Sequence, residues 1–251
     1  MRVVAVYNIK GGVGKTSTAV NLAALAAGVG LRTAIWDLDP QGAATFLLRG
    51  KAKVKGGGEA LLSGRRDLHD AVRATDVPGL DLLPADFSYR DLDSSLADAK
   101  KPTRQVARLV KPLRDHYDLL LLDCPPSISL LSENVFEAAE LLLVPIVPTT
   151  LSLRTLEQLT GFLADGEGRA PRVRAFFSMV DSRKTLHKQV MTDLAADDRL
   201  LRTAIPSASS VERMGLGQLP VVLSEPRGKA ALAYRALWVD VQRALDDGGR
   251  R

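Results

Sequence analysis

Of the 251 residues only one is cysteine, Cys124. An intrachain disulfide is therefore excluded, and so is a Cys-rich metal or iron–sulfur site, which needs several thiolates. One buried-type thiol fits a reducing cytoplasm. Long apolar runs are missing as well. The longest stretches, 119–122 and 141–147, are strand-sized, far below the roughly 18 residues of a spanning helix. No basic leader with an apolar stretch and cleavage site precedes the first strand, so a cytoplasmic protein is expected. Aromatic residues make up 5% of the chain and do not interleave with basic ones, which disfavours stacking on single-stranded nucleic acid.

What is present is an ordinary globular composition, 46% hydrophobic and 25% charged, with a net charge of +5. That balance permits contact with polyanions without requiring it. Short apolar runs alternate with segments of helical period. Strands are expected over 3–7, 33–36, 80–83, 119–122, 141–147, 174–179 and 203–205, and helices over 17–27, 68–74, 89–96, 103–115, 130–138, 153–163, 186–194 and 230–245. Strands apolar at consecutive positions are buried on both faces of a parallel sheet. The expectation is one α/β domain over residues 1–251, doubly wound and mostly parallel, with helices on both faces. Ligands in such folds sit beyond the carboxyl ends of the strands. Residues 49–58, with three lysines and four glycines, read as a mobile exposed loop.

After the first expected strand comes Asn8-Ile9-Lys10-Gly11-Gly12-Val13-Gly14-Lys15-Thr16, then a helix-forming run from Ser17. Glycines let successive N–H groups turn inward onto phosphate oxygens, and the helix N-terminus adds partial positive charge. Lys15 is placed to reach the β- and γ-phosphates and the Thr16 hydroxyl to ligate Mg²⁺. The strict G-x-x-x-x-G-K-[ST] pattern is broken: Ile9 stands where it needs glycine, and a second lysine, Lys10, opens the loop.

Two acidic elements accompany the loop. The second strand runs out through Trp36-Asp37-Leu38-Asp39-Pro40-Gln41-Gly42. Strand alternation puts Asp37 and Asp39 on one side, at the end where a γ-phosphate lies, and a carboxylate there can orient the attacking water. The run 119–122 ends in Asp123-Cys124-Pro125-Pro126, a Walker B pattern whose aspartate holds Mg²⁺ directly or through water.

These residues resemble the ParA/MinD family of deviant Walker ATPases, with the nitrogenase-iron-protein-like P-loop fold. The pieces are 10–16, 37–42, 123–127, 145–150, Met179-Val180-Asp181-Ser182-Arg183, 206–220 and 229–234. The resemblance implies an ATP-dependent sandwich homodimer in which Lys10 crosses to the partner's phosphates. It implies that Lys10, Gly11, Gly12, Val13, Gly14, Lys15, Thr16 and Ser17 surround the nucleotide. Asp39 would activate water, Thr16 and Asp123 would hold Mg²⁺, Asp37 would support the metal or its water, and Asp181 and Pro206 would line the adenine. The Asp-Leu-Asp-Pro-Gln-Gly and Asp-Ser-Arg pieces place the chain nearer ParA than MinD. That branch implies non-specific binding to double-stranded DNA, a nucleoid location, a cargo to position, and a ParB-like or adaptor partner that stimulates hydrolysis.

Ile205-Pro206 is followed by Ser207-Ala208-Ser209-Ser210, where chromosome-segregating members carry arginines. Phosphate contacts must then come from elsewhere: Arg183, Lys184, Lys188, Arg213, Arg227 and Lys229, or from Lys51, Lys53 and Lys55 as a rival group. A MinD-like membrane ATPase is the main alternative. It needs a basic amphipathic C-terminal helix, whereas the stripe around Tyr234, Leu237, Trp238 and Val241 reads as core and is followed by Asp246-Asp247. A biosynthetic ATP-dependent enzyme on the same fold is a further alternative. A tyrosine kinase would carry a terminal tyrosine cluster; Tyr7, Tyr89, Tyr117 and Tyr234 are scattered.

Overall fold

In the computed structural model, which describes residues 1–166 and 170–247, eight strands form one sheet: β1 (Arg2–Val6), β2 (Thr33–Asp37), β3 (Arg73–Ala74), β4 (Leu80–Leu83), β5 (Leu119–Asp123), β6 (Leu141–Ile146), β7 (Arg172–Val180) and β8 (Leu200–Pro206). Their order is β3-β4-β2-β5-β1-β6-β7-β8. Every pairing is parallel except that of β3, which runs antiparallel on the edge.

Side-chain alternation along the strands builds two cores. Val3, Ala5 and Tyr7 of the first strand region point to one, and Val4 and Val6 to the other. The helices Lys15–Gly28 and Lys229–Asp246 cover the second core, through Leu22, Ala26, Tyr234, Leu237 and Trp238 among others. The helices Leu130–Ala138 and Thr150–Asp165 cover the first. The Tyr234–Val241 stripe is thus core packing, with Leu237 and Val241 fully buried. Among the described residues no helix is long and apolar enough to cross a membrane.

All seven expected strands are present. Four expectations change. The helix foreseen over 68–74 stops at Ala71, and Arg73–Ala74 joins the sheet edge. The segment 89–96 opens as a 3₁₀ turn, Phe87–Asp91, before the α-helix Leu92–Ala97. The segment 103–115 is broken into Pro102–Arg104, Gln105–Leu109 and Lys111–Asp115. Proline at 102 and 112 suits the first turns of separate short helices rather than one continuous one.

The fourth correction concerns residues 49–58, which are tied down. Val54 is buried, and its N–H donates to Asp86 Oδ2 at 2.7 Å. Gly58 N–H donates to Ser88 Oγ at 2.8 Å, and the helix Gly57–Leu62 starts within the segment. The side chains of Lys51, Lys53 and Lys55 remain exposed.

Candidate nucleotide site

The loop between β1 and the helix Lys15–Gly28 is shaped by Asn8. Its carboxamide donates to the Pro145 carbonyl at 2.8 Å and accepts from Lys10 N–H at 2.9 Å. The start of the loop is thereby pinned to the end of β6. Gly14 takes φ 90°, and a Cβ there would lie 2.9 Å from Ser178 Oγ. Both the backbone angle and the close approach therefore demand glycine. The helix that follows has neither a side-chain cap nor an acid in its first turn. Its leading N–H groups and dipole are left facing the loop, the arrangement that binds phosphate.

Lys15 is buried, and its Nζ donates to the Lys10 carbonyl at 2.9 Å. Burial lowers its pKa, while Asp123 first and Asp39 more weakly oppose the shift. Lys10 is only half-buried, and no ion pair holds it among the described residues.

In front of the loop lies a cavity of about 360 Å³. Its floor is Gly11, Gly12, Gly14, Lys15, Thr16 and Ser17, and Asp39 stands at one side. The rest of the lining is mostly apolar, with Met179, Ile205, Pro206, Val211 and Tyr234 beside Ser178, Ser207 and Glu212. One polar end and one apolar end suit a molecule with phosphates and a flat ring. Met179 is held at φ 55°, beside a register shift between β7 and β8, and stays 40% exposed on the cavity wall. Pro206 lines the cavity as expected. Asp181 does not: its carboxylate is folded onto Arg183, accepting from Nε at 3.0 Å and from a terminal guanidinium nitrogen at 2.9 Å. That pairing holds the Asp181 carboxyl far below the usual carboxylate range.

Behind the floor sit two acids on one rung of the sheet, because β2 and β5 pair with Asp37 opposite Asp123. Both are fully buried. Asp37 Oδ2 accepts from the Thr45 N–H and hydroxyl at 2.7 and 2.8 Å, and its Oδ1 accepts from Asp39 N–H at 3.3 Å. Burial nevertheless pushes its pKa up to about 6. The two oxygens of Asp123 have no hydrogen-bond partner. Burial, then the neighbouring Asp37, pushes its pKa well above the carboxylate range; the Thr16 hydroxyl, close by but outside hydrogen-bond geometry, and the charge of Lys15 oppose this. An unpartnered, fully buried carboxylate beside a second acid and a threonine hydroxyl is a poor resting state for a protein alone and a good one around a hard divalent cation. The donor set fits Mg²⁺: Asp123 and Thr16 would hold it, with Asp37 alongside on the neighbouring strand, already engaged by Thr45. Asp39 is apart from this pair. It is half-exposed, lines the cavity, and its Oδ1 accepts from Gln41 N–H at 2.9 Å.

The basic candidates divide. Arg183 is engaged by Asp181, and Arg213 pairs with Glu225 at 2.8 Å. Lys184, Lys188, Arg227 and Lys229 are exposed, and no ion pair involves them among the described residues. Sequence reasoning missed Thr45 and Ser178, gave Asn8 no role, read Tyr234 as core, and named Met179 only within the 179–183 piece. Only Asn8 carried a signal, by standing directly before the loop.

The family model of the AAA domain matches residues 1–167. The chain is 37% identical over 258 residues to the chromosome-partitioning ATPase Soj of Thermus thermophilus, covering 98% of each. It is 30% identical over 255 residues to the sporulation initiation inhibitor protein Soj of Bacillus subtilis, covering 96% of this chain and 98% of that one. Among solved structures, cobyrinic acid a,c-diamide synthase from Mycobacterium smegmatis with bound ADP and magnesium is similar at a TM-score of 0.82 and 29% identity, covering 99% of this chain and 96% of that one. Together with the deviant phosphate loop and the paired acids behind it, these likenesses establish that the chain belongs to the ParA/MinD family of P-loop ATPases.

Proposed function

We propose that this chain is a ParA-type positioning ATPase. It binds ATP with Mg²⁺, dimerises face to face over the nucleotides, binds duplex DNA without sequence preference, and is released when a partner stimulates hydrolysis. The observation that carries the reading is the pairing of an uncapped helix N-terminus and Lys15 with the unpartnered Asp123 carboxylate behind them. Relatives named as chromosome-partitioning proteins, matched over nearly their whole length, support the cargo-positioning role over a biosynthetic one.

In this reading the loop N–H groups and Lys15 hold the phosphates, and Met179, Ile205 and Pro206 hold the base. Thr16 and Asp123 hold Mg²⁺, which neutralises charge developing on the phosphates during transfer. Asp39, on the open side of the cavity, orients the attacking water and takes its proton. Lys10 is half-exposed at the loop's entrance, where it can serve the partner subunit's nucleotide. Among the candidates named for this face, Lys184, Lys188, Arg227 and Lys229 are exposed and free of ion pairs among the described residues, and doubling them in a dimer raises effective affinity. The whole chain acts as one ATPase domain.

The test combines light scattering after size exclusion, phosphate release, and mobility shifts on unrelated duplexes, each with and without ATP. The expected result is an ATP-dependent dimer that hydrolyses slowly and shifts DNA only with ATP, less so as salt rises. Lys10→Ala should dimerise or hydrolyse poorly while still binding ATP. A chain that remains monomeric with ATP and shifts no DNA at low salt removes the ParA reading and favours a small-molecule ATPase on the same fold.

A further inference from the structure

Thr45 lies in the short helix Ala43–Leu47, outside the phosphate loop and off the cavity wall, and is 1% exposed. Each of its polar atoms is committed. Its N–H and hydroxyl both donate to Asp37 Oδ2, at 2.7 and 2.8 Å. The hydroxyl oxygen accepts from Ala85 N–H, beyond β4, at 2.8 Å. Its carbonyl accepts from Gly50 N–H at 2.8 Å, at a spot where a Cβ on Gly50 would collide with Leu82. A single hydroxyl has one proton to give, so accepting from Ala85 fixes its donation toward Asp37.

The chain of bonds continues to the open side of the cavity. Asp37 Oδ1 accepts from Asp39 N–H at 3.3 Å, and Asp39 in turn holds its own turn closed through Gln41 N–H and Gly42 N–H, both at 2.9 Å. Asp37 is a buried link between the Thr45 hydroxyl and that turn, beside the direct run of the chain from Gly42 into the helix. Removing the hydroxyl would leave the Asp37 carboxylate with two backbone donors, Thr45 N–H and the longer bond from Asp39 N–H, loosening its orientation next to Asp123 on the neighbouring strand, and would leave Ala85 N–H without its acceptor.

We infer that Thr45 is a positioning residue for hydrolysis: it locks the rotation of Asp37, and through Asp37 the turn that carries Asp39. The inference rests on the role given to Asp39 above. Groups that orient a catalytic or metal-binding acid typically change activity by about tenfold to a hundredfold when removed.

The test compares Thr45→Val, which keeps shape and removes the hydroxyl, with Thr45→Ser, which keeps the hydroxyl. T45V should lower the single-turnover rate per bound nucleotide by about tenfold or more. Its affinity for a fluorescent ATP analogue, titrated with Mg²⁺, should stay within about threefold of wild type, because Lys15, Thr16 and Asp123 are untouched. T45S should recover most of the rate. A merely structural role would instead lower Tm and the fraction of chains that bind nucleotide, with turnover per bound nucleotide unchanged, and that result overturns the inference. Thr45→Ala is read in the same way where T45V fails to fold. A wild-type chain that binds ATP with Mg²⁺ and releases no phosphate overturns the reading of Asp39, and the role of Thr45 with it.

Discussion

Lys15 turns its ammonium back onto the Lys10 carbonyl, Nζ to O 2.9 Å, so the two lysines of the phosphate loop are linked by one side-chain-to-backbone hydrogen bond. In the proposed reading the charge that meets the phosphates is already buried at the loop, held by the carbonyl of a residue that is itself half-buried. Binding exchanges a neutral carbonyl for charged oxygens, and hydrogen bonds to charged groups are worth about 1.5–3 kcal/mol each.

Lys15→Ala removes both the charge and its hydrogen bonds. ATP affinity should fall about a hundredfold or more, on the basis of two such bonds removed. Titration of a fluorescent ATP analogue checks this, and unchanged affinity would contradict the loop assignment.

Asp39→Ala should leave ATP binding and dimer formation in place while kcat drops about a hundredfold to ten-thousandfold, the range for a positioned proton acceptor. Phosphate release measured beside size exclusion separates the two effects. A variant with wild-type turnover excludes Asp39 as the water-orienting acid.

Asp123→Asn should trade activity for stability. It replaces an unpartnered buried carboxylate with a neutral isostere, so the metal-free protein should gain about 1–3 kcal/mol, while Mg²⁺-dependent hydrolysis is abolished. Thermal melts without Mg²⁺ and phosphate release with it are the two readouts. A lowered Tm would mean that the carboxylate has protein partners after all.

The same acids give a pH dependence. Asp37 titrates at about 6 in the fold, above its ordinary 3.8, because burial disfavours its charge. The folded chain then holds a proton that the unfolded chain releases more readily. Stability of the Mg²⁺-free protein is fully present below about pH 4 and falls as pH rises through about 6. Melts from pH 4.5 to 7.5 should show this decline in Tm, and saturating Mg²⁺ with ATP should suppress it. A flat profile without Mg²⁺ would show that the pair is relieved by some other means.

Lys184→Glu with Lys188→Glu should weaken duplex binding and flatten its salt dependence by about 0.9 in log–log slope for each DNA phosphate no longer neutralised. ATP affinity should not change. Arg183 is a poorer choice, because Asp181 already occupies it. The same double change made at Lys51 and Lys53 tests the rival patch. If only that change weakens binding, the DNA face lies beside the helix Ala43–Leu47.

The central strands were readable because they are buried on both faces and so written as unbroken apolar runs, as in Leu119 to Leu122. β3 had no such mark: Arg73 and Ala74 are both exposed, and only the edge of β4 makes them a strand. Residues 49–58 misled because glycine and lysine suggest mobility, while the anchoring atoms come from Asp86 and Ser88, about thirty positions on. The nucleotide loop and Asp123 were legible since their chemistry is local in sequence. Thr45 was not, because its meaning comes from the meeting of β2, β4 and the helix between them. Asp181 looked like a base contact, but an arginine two residues away satisfies it.

The rung that joins Asp37 to Asp123 makes the proposed metal site a gauge of strand alignment. A slip of one residue between β2 and β5 would send every side chain of the slipped strand to the opposite face and separate the two acids. Such a chain could keep much of its helix content and still present no pair of carboxylates behind the loop. Affinity for a divalent cation therefore discriminates the native sheet from a misregistered one, and a nucleotide-loaded chain is one whose two central strands have been proofread.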